Sequence, residues 1–154
     1  MIPELEHLRE DEIEALKKGP ILVSILIAGA DDNIDKNEVK QAISVAHSKK
    51  TRAREGLTEF YKEVSADFES ELHRLIKELP NTALESHPII IRELKKLNRI
   101  MVKIDKSFAI NYYASLKDMA KKVAEASGGI MGYLSVSYEE AKLLELNMIK
   151  DPSK

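Results

Sequence analysis

The chain contains no cysteine, which excludes disulfides, thiolate zinc sites, iron–sulfur clusters and thiol nucleophiles together. Long apolar runs are also missing. The longest, residues 21–30, is interrupted by Ser24 and reaches about half the roughly 20 residues that a membrane-spanning helix needs. Aromatic residues are scarce at 5%, and 24 basic against 26 acidic residues leave a net charge of only -2. Attraction of the whole molecule to nucleic acid or to an acidic membrane surface is therefore not expected. Residues 1–14 carry Glu4, Glu6, Glu10, Asp11, Glu12 and Glu14 against Arg9 alone, the opposite charge from a secretory leader. A cytoplasmic protein without membrane insertion is the expectation.

What is present is a globular mixture. The 154 residues are 44% hydrophobic and 32% charged, enough for one domain with its own core and unlike a disordered chain. Residues 3–18 read as a helix with Pro3 at its first position, acidic side chains in its first turns and Lys17-Lys18 at its end, matching the helix dipole. Gly19-Pro20 reads as its stop, so this helix could stand as an appendage. The run 21–28 is rich in branched residues and could be a strand, but no other segment alternates with period two. A lone strand would leave its backbone groups without partners, so a central buried helix is expected.

Further on, Leu57, Tyr61, Val64, Phe68, Leu72, Leu75 and Leu79 recur by threes and fours, one face of a helix that Pro80-Asn81 ends. Pro88 suits the start of the next, whose core face is Ile90, Leu94, Leu97, Met101 and Ile104. Phe108, Tyr112, Leu116, Met119 and Val123 line another, ended by Gly128-Gly129. A short helix over 138–148 closes the chain. The expected fold is all-α, a single-domain bundle of about six or seven helices.

The two halves share a pattern. Ile27-Ala28-Gly29-Ala30-Asp31 precedes Ile34-Asp35-Lys36-Asn37-Glu38-Val39, and Val123-Ala124-Glu125-Ala126-Ser127 precedes Val136-Ser137-Tyr138-Glu139-Glu140-Ala141. In each, a helix ending in small residues leads through a loop to an aliphatic residue, an Asp or Ser, and a Glu three positions later. That is the spacing of a capping box, in which Asp35 or Ser137 accepts from the new helix and Glu38 or Glu140 reaches back. Ile34 with Val39, and Val136 with Ala141, fall at hydrophobic-staple positions.

On these residues the chain resembles the TerB-like tellurite-resistance family, whose all-helical domain carries a small-Asp-Gly-x-aliphatic-x-x-x-Glu motif as a pseudo-repeat. Residues 30–38 are similar to the first copy, and 126–128 joined to 136–140 are similar to the second. Asp32 stands where the family often has Gly, and Ser127 where it often has Asp, which removes a carboxylate from the second copy. The resemblance implies a bacterial, non-enzymatic protein of tellurite and related stress responses, acting as a scaffold or interaction module.

The residues themselves offer one candidate site. Asp31, Asn33 and Asp35, with Glu38 on the next turn, place oxygen ligands at alternate positions, as suits calcium or magnesium. Lys36 replaces the turn glycine of an EF-hand and Ala42 stands where its bidentate Glu belongs, so a complete EF-hand is not expected. Helix capping uses the same atoms and is the preferred reading, with the divalent cation as the functional alternative.

Arg92, Lys96, Arg99, Lys103 and Lys106 form a basic stripe. Each lies two positions after a core residue, about 200° around the helix, so a solvated face is expected in preference to a nucleic-acid surface. Lys49, Lys50, Arg52 and Arg54 form a second basic cluster, assigned to a connection and read the same way. His7, His47, His73 and His87 are scattered, with Glu4-x-x-His7 a single copy of a di-iron spacing that must occur twice. Glu69 and His73 read as a surface pair. No nucleophile elbow or phosphate loop is present. The chain is expected to work through a protein partner or as a homodimer. Residues 130–134, rich in Gly, Met and Tyr, read as cover for the core edge or as a partner contact.

Overall fold

Residues 21–28 are helical, and every one of them is buried. They form the second half of α1 (Glu10–Ala28), which packs against all the other helices. The computed structural model describes residues 2–29, 36–52, 57–126 and 143–154. A 3-10 turn, Pro3–Leu5, precedes α1, and α2 (Lys36–Arg52), α3 (Leu57–Glu78), α4 (Ala83–Lys95), α5 (Leu97–Met101) and α6 (Lys106–Glu125) follow it. The described residues are all helix and turn. Five of these helices are long and α5 is a single short piece, somewhat fewer than the sequence predicts.

The main reason is Pro20. Gly19-Pro20 does not stop a helix over 3–18; both residues lie inside α1, which begins only at Glu10. A helical proline lacks the N–H that would bond the carbonyl four residues back, and its ring crowds that carbonyl. The carbonyl is that of Leu16, and the Tyr112 hydroxyl, from the middle of α6, donates to it at 2.6 Å. Glycine at position 19 makes this approach possible. A Cβ there would lie far inside contact distance of the Tyr112 Oη and 3.2 Å from its Cζ. Ser24 donates in turn to the Pro20 carbonyl at 2.7 Å. The expected appendage is thus the leading half of the central helix, and Ile2, Leu5 and Leu8 ahead of it are buried as well.

Pro88 does not open α4 either. Thr82 is the N-cap, its side chain accepting from the Glu85 amide at 3.4 Å. The carbonyl that Pro88 leaves unbonded belongs to Leu84, which is 86% exposed, where water can replace the missing N–H. A tightened turn at Lys96, whose amide bonds back to Glu93 at 3.2 Å, separates α4 from α5. Across this break Ile90, Leu94, Leu97, Met101 and Ile104 all remain buried, and Arg92, Lys96, Arg99, Lys103 and Lys106 all face solvent.

The core faces of α3 and α6 follow the sequence closely. Leu57, Tyr61, Val64, Phe68 and Leu72 are buried, with Leu75 and Leu79 partly so, and Phe108, Tyr112, Leu116, Met119 and Val123 are all buried. Phe60, absent from the expected stripe, is fully buried. It meets Tyr61, Tyr112 and Phe108 edge to face, at centroid distances of 5.4, 5.5 and 6.1 Å, a favoured ring arrangement. Tyr61 donates to Ser115 Oγ at 2.9 Å, and Ser115 donates to the Tyr112 carbonyl at 2.6 Å. Burial pushes both tyrosine hydroxyls well above their ordinary range, so they serve as neutral donors.

The C-terminal segment differs from expectation. Of the helix expected over 138–148, residues 138–142 lie outside the described residues and 144–148 form turns. Leu146 takes a positive φ of 47° and is fully buried. Asn98 clamps the strand of chain that follows: its amide donates to the Met148 carbonyl at 2.9 Å and accepts from the Lys150 amide at 2.8 Å.

Candidate functional site

Of the four residues proposed as cation ligands, Asp31, Asn33 and Asp35 lie outside the described residues. Glu38 is described. It is the third residue of α2 and only 1% exposed, the position that a capping-box glutamate occupies. Residues 127–142, which hold Ser127, Ser137 and Glu140 of the second copy and the segment 130–134, are also outside.

A close counterpart to Glu38 stands at the start of α1. Glu12 is the third residue of that helix and is also buried. Its Oε1 accepts from the Arg9 amide at 3.0 Å, which is the reach-back half of a capping box. Its Oε2 takes Lys103 Nζ at 2.6 Å, tying α1 to the end of α5. The Lys103 hydrogen bond, helped by the Arg9 amide, holds the Glu12 carboxyl below its ordinary range despite the opposing effect of burial. A depressed carboxyl contributes stability above its unfolded pKa and loses it as pH falls through the folded one. Melting temperature is therefore expected to fall on acidification below the ordinary glutamate range. Glu12→Gln should be less stable than wild type at pH 7, with the difference shrinking at acid pH; parallel melting curves from pH 7 to 3 would contradict this.

The histidines do not converge. His7, on the leading turn, directs its Nε2–H to the Lys103 carbonyl at 2.6 Å, and His73 stands 4.0 Å from Glu69 on the exposed face of α3. His47 and His87 belong to α2 and α4. Among the described residues no group of three or more His, Asp or Glu is placed to hold a metal ion. No helix among them is long and apolar enough to cross a membrane.

A concavity among the described residues lies elsewhere, between α2 and α6. It is a polar cleft of about 500 Å³, lined by Ser44, Ser48 and Lys49 from α2 and by Asn111, Asp118 and Lys122 from α6, among others. Lys49 belongs to α2 and not to a connection; Lys50 and Arg52 share that helix, while Arg54 is outside the described residues. Lys49 Nζ reaches Asp118 at 2.7 Å and lies 5.8 Å from the centre of the Tyr61 ring. Only 12% of its side chain is exposed. Lys122 Nζ meets the same Asp118 oxygen at 3.1 Å. Partial burial works against the charge of Asp118, but hydrogen bonds from both lysines and their Coulombic attraction outweigh it and leave its carboxyl below the ordinary range.

Only part of this cleft was visible in the sequence. Asp118 and Lys122 have the i, i+4 spacing of a helical ion pair. The third member comes from a residue 69 positions away, and nothing local marks it. Comparison with protein-family models, with curated proteins and with solved structures returns no match.

Proposed function

We propose that the protein is a non-enzymatic, TerB-like interaction module of the bacterial response to tellurite and related stress, with calcium or magnesium held by residues 31–38. In this reading it acts through a protein partner, and Asp31, Asn33, Asp35 and Glu38 supply the cation's oxygen ligands. The observation that carries it is Glu38, a carboxylate 1% exposed in the first turn of α2, directly behind three side-chain oxygens at alternate positions. A buried carboxylate requires positive charge or donors around it, and the helix end and a cation both provide them. The scattered histidines and neutral buried tyrosines favour binding over catalysis.

One observation favours a metal-free module on the same bundle. Glu12 is a second buried glutamate at the third position of a helix, and capping together with Lys103 accounts for it fully. Titrating calcium or magnesium into chelator-treated protein separates the two. A cation bound only by the folded state raises the melting temperature by about 5–10 °C at a hundredfold excess over its Kd. Asp31→Asn should keep the basal melting temperature and lose that rise. An unchanged melting temperature at millimolar metal would leave capping as the whole role of Glu38.

A further inference from the structure

The α2–α6 cleft gathers two ammonium groups, Lys49 and Lys122, around one carboxylate, Asp118, in a chain whose net charge is -2. Lys40, Lys122 and Glu125 line the wider part towards the ends of the two helices, so each part has one positive charge in excess, with Lys122 common to both. Low-dielectric walls focus such a field. The two lysines are not equivalent. Lys49 is largely withdrawn from solvent beside Tyr61, whereas the Lys122 side chain is 50% exposed. Lys49 thus neutralises Asp118 from the inner side, and Asp118 holds Lys122 over the cavity. Hydroxyl and amide groups of Ser44, Ser48 and Asn111 line the rest, and the volume falls in the range of small-molecule sites.

We propose that this cleft binds a small oxyanion ligand, a molecule bearing a phosphate or carboxylate group, with Lys122 as its charged contact and the Ser44 hydroxyl as a donor. Lys49 and Asp118 are positioning residues: Asp118 places the Lys122 ammonium and Lys49 offsets the charge of Asp118, as phosphate or carboxylate recognition by a lysine requires. Among the described residues, the cleft's lining includes none of 31–38, and the site needs no cation there.

The test is titration of inorganic phosphate, and separately of citrate, into isotopically labelled protein at low ionic strength, following backbone amide resonances. Saturable shifts are expected at Ser44, Ser48 and Lys122. Lys122→Met should weaken binding about tenfold or more, the loss of one charge-assisted hydrogen bond, and Ser44→Ala, at an exposed position, should weaken it a few-fold. Lys95→Met, which removes an exposed lysine from α4, should leave the affinity unchanged. Tighter binding of phosphate than citrate assigns a phosphorylated ligand, and the reverse a carboxylate. Absence of saturable shifts with both anions, equal shifts with chloride, or an affinity unaltered in folded Lys122→Met and Ser44→Ala would overturn the proposal.

Discussion

Gly19→Ala is expected to destabilise the protein by about 2–4 kcal/mol, although alanine is by about 1 kcal/mol the better helix former. The added Cβ would occupy the space of the Tyr112 Oη. Tyr112 cannot swing aside, because its ring is fully buried and stacked edge to face on Phe60. Either α1 and α6 separate or the hydroxyl loses the Leu16 carbonyl, an acceptor that the proline at position 20 has already deprived of its helical donor. The mechanism has its own signature. Tyr112→Phe alone should cost about 1–3 kcal/mol for the unsatisfied carbonyl, and in that background Gly19→Ala should become cheaper by about 1 kcal/mol or more. Equal costs of Gly19→Ala in both backgrounds, measured by urea unfolding, would show that the hydroxyl is not what position 19 accommodates.

Phe60→Ala should cost more, about 3–5 kcal/mol. Phe60 is the ring that Tyr61, Phe108 and Tyr112 all contact, so truncation opens a cavity where α3 faces α6 and removes three edge-to-face pairs. Against the 5–15 kcal/mol typical of a whole domain, little stability would remain at 37 °C. Phe60→Leu keeps most of the volume and should recover more than half of the loss. A cost below about 1 kcal/mol for the alanine variant, read from the denaturation midpoint at constant slope, would mean that the cluster is not the core's centre.

Phe60 also shows where periodicity stops being informative. A stripe of threes and fours identifies one face, and α3 has a wider one because it packs on α1, α2 and α6 together. The residue beside Tyr61 is then buried too. Every residue of the expected faces of α4, α5 and α6 is buried, but Ile100, Ala109, Ala120 and Ala124 beside them are buried too, and α6, which packs on α1, α2 and α3, has a wider face for the same reason. The prolines misled for a different reason. The cost of a helical proline is local, but its relief is tertiary, through Tyr112 at Pro20 and through exposure near Leu84 at Pro88. The start of α4 is written in the chain as Thr82-Ala83-Leu84-Glu85, a capping-box spacing six residues ahead of Pro88.

Of the proposed cation ligands, the chain marked each by type and spacing, and Glu38 occupies the first turn of its helix as that spacing requires. The α2–α6 cleft was far less visible. A lysine in a run of basic residues is indistinguishable by sequence from its solvated neighbours; only the folding of α2 onto α6 selects Lys49 and gives it Asp118.

The repair of α1 by a tyrosine 96 residues downstream also bears on how the molecule is made. At translation speeds of about 5–20 residues per second, roughly 5–20 s pass between the appearance of Leu16 and that of its hydroxyl partner. Until then the nascent polypeptide carries an oily segment, 21–28, that α2 to α5 cover only in part, and a defect beside it that no earlier residue mends. Among the described residues, the last long helix to be synthesised is thus the one that locks the first.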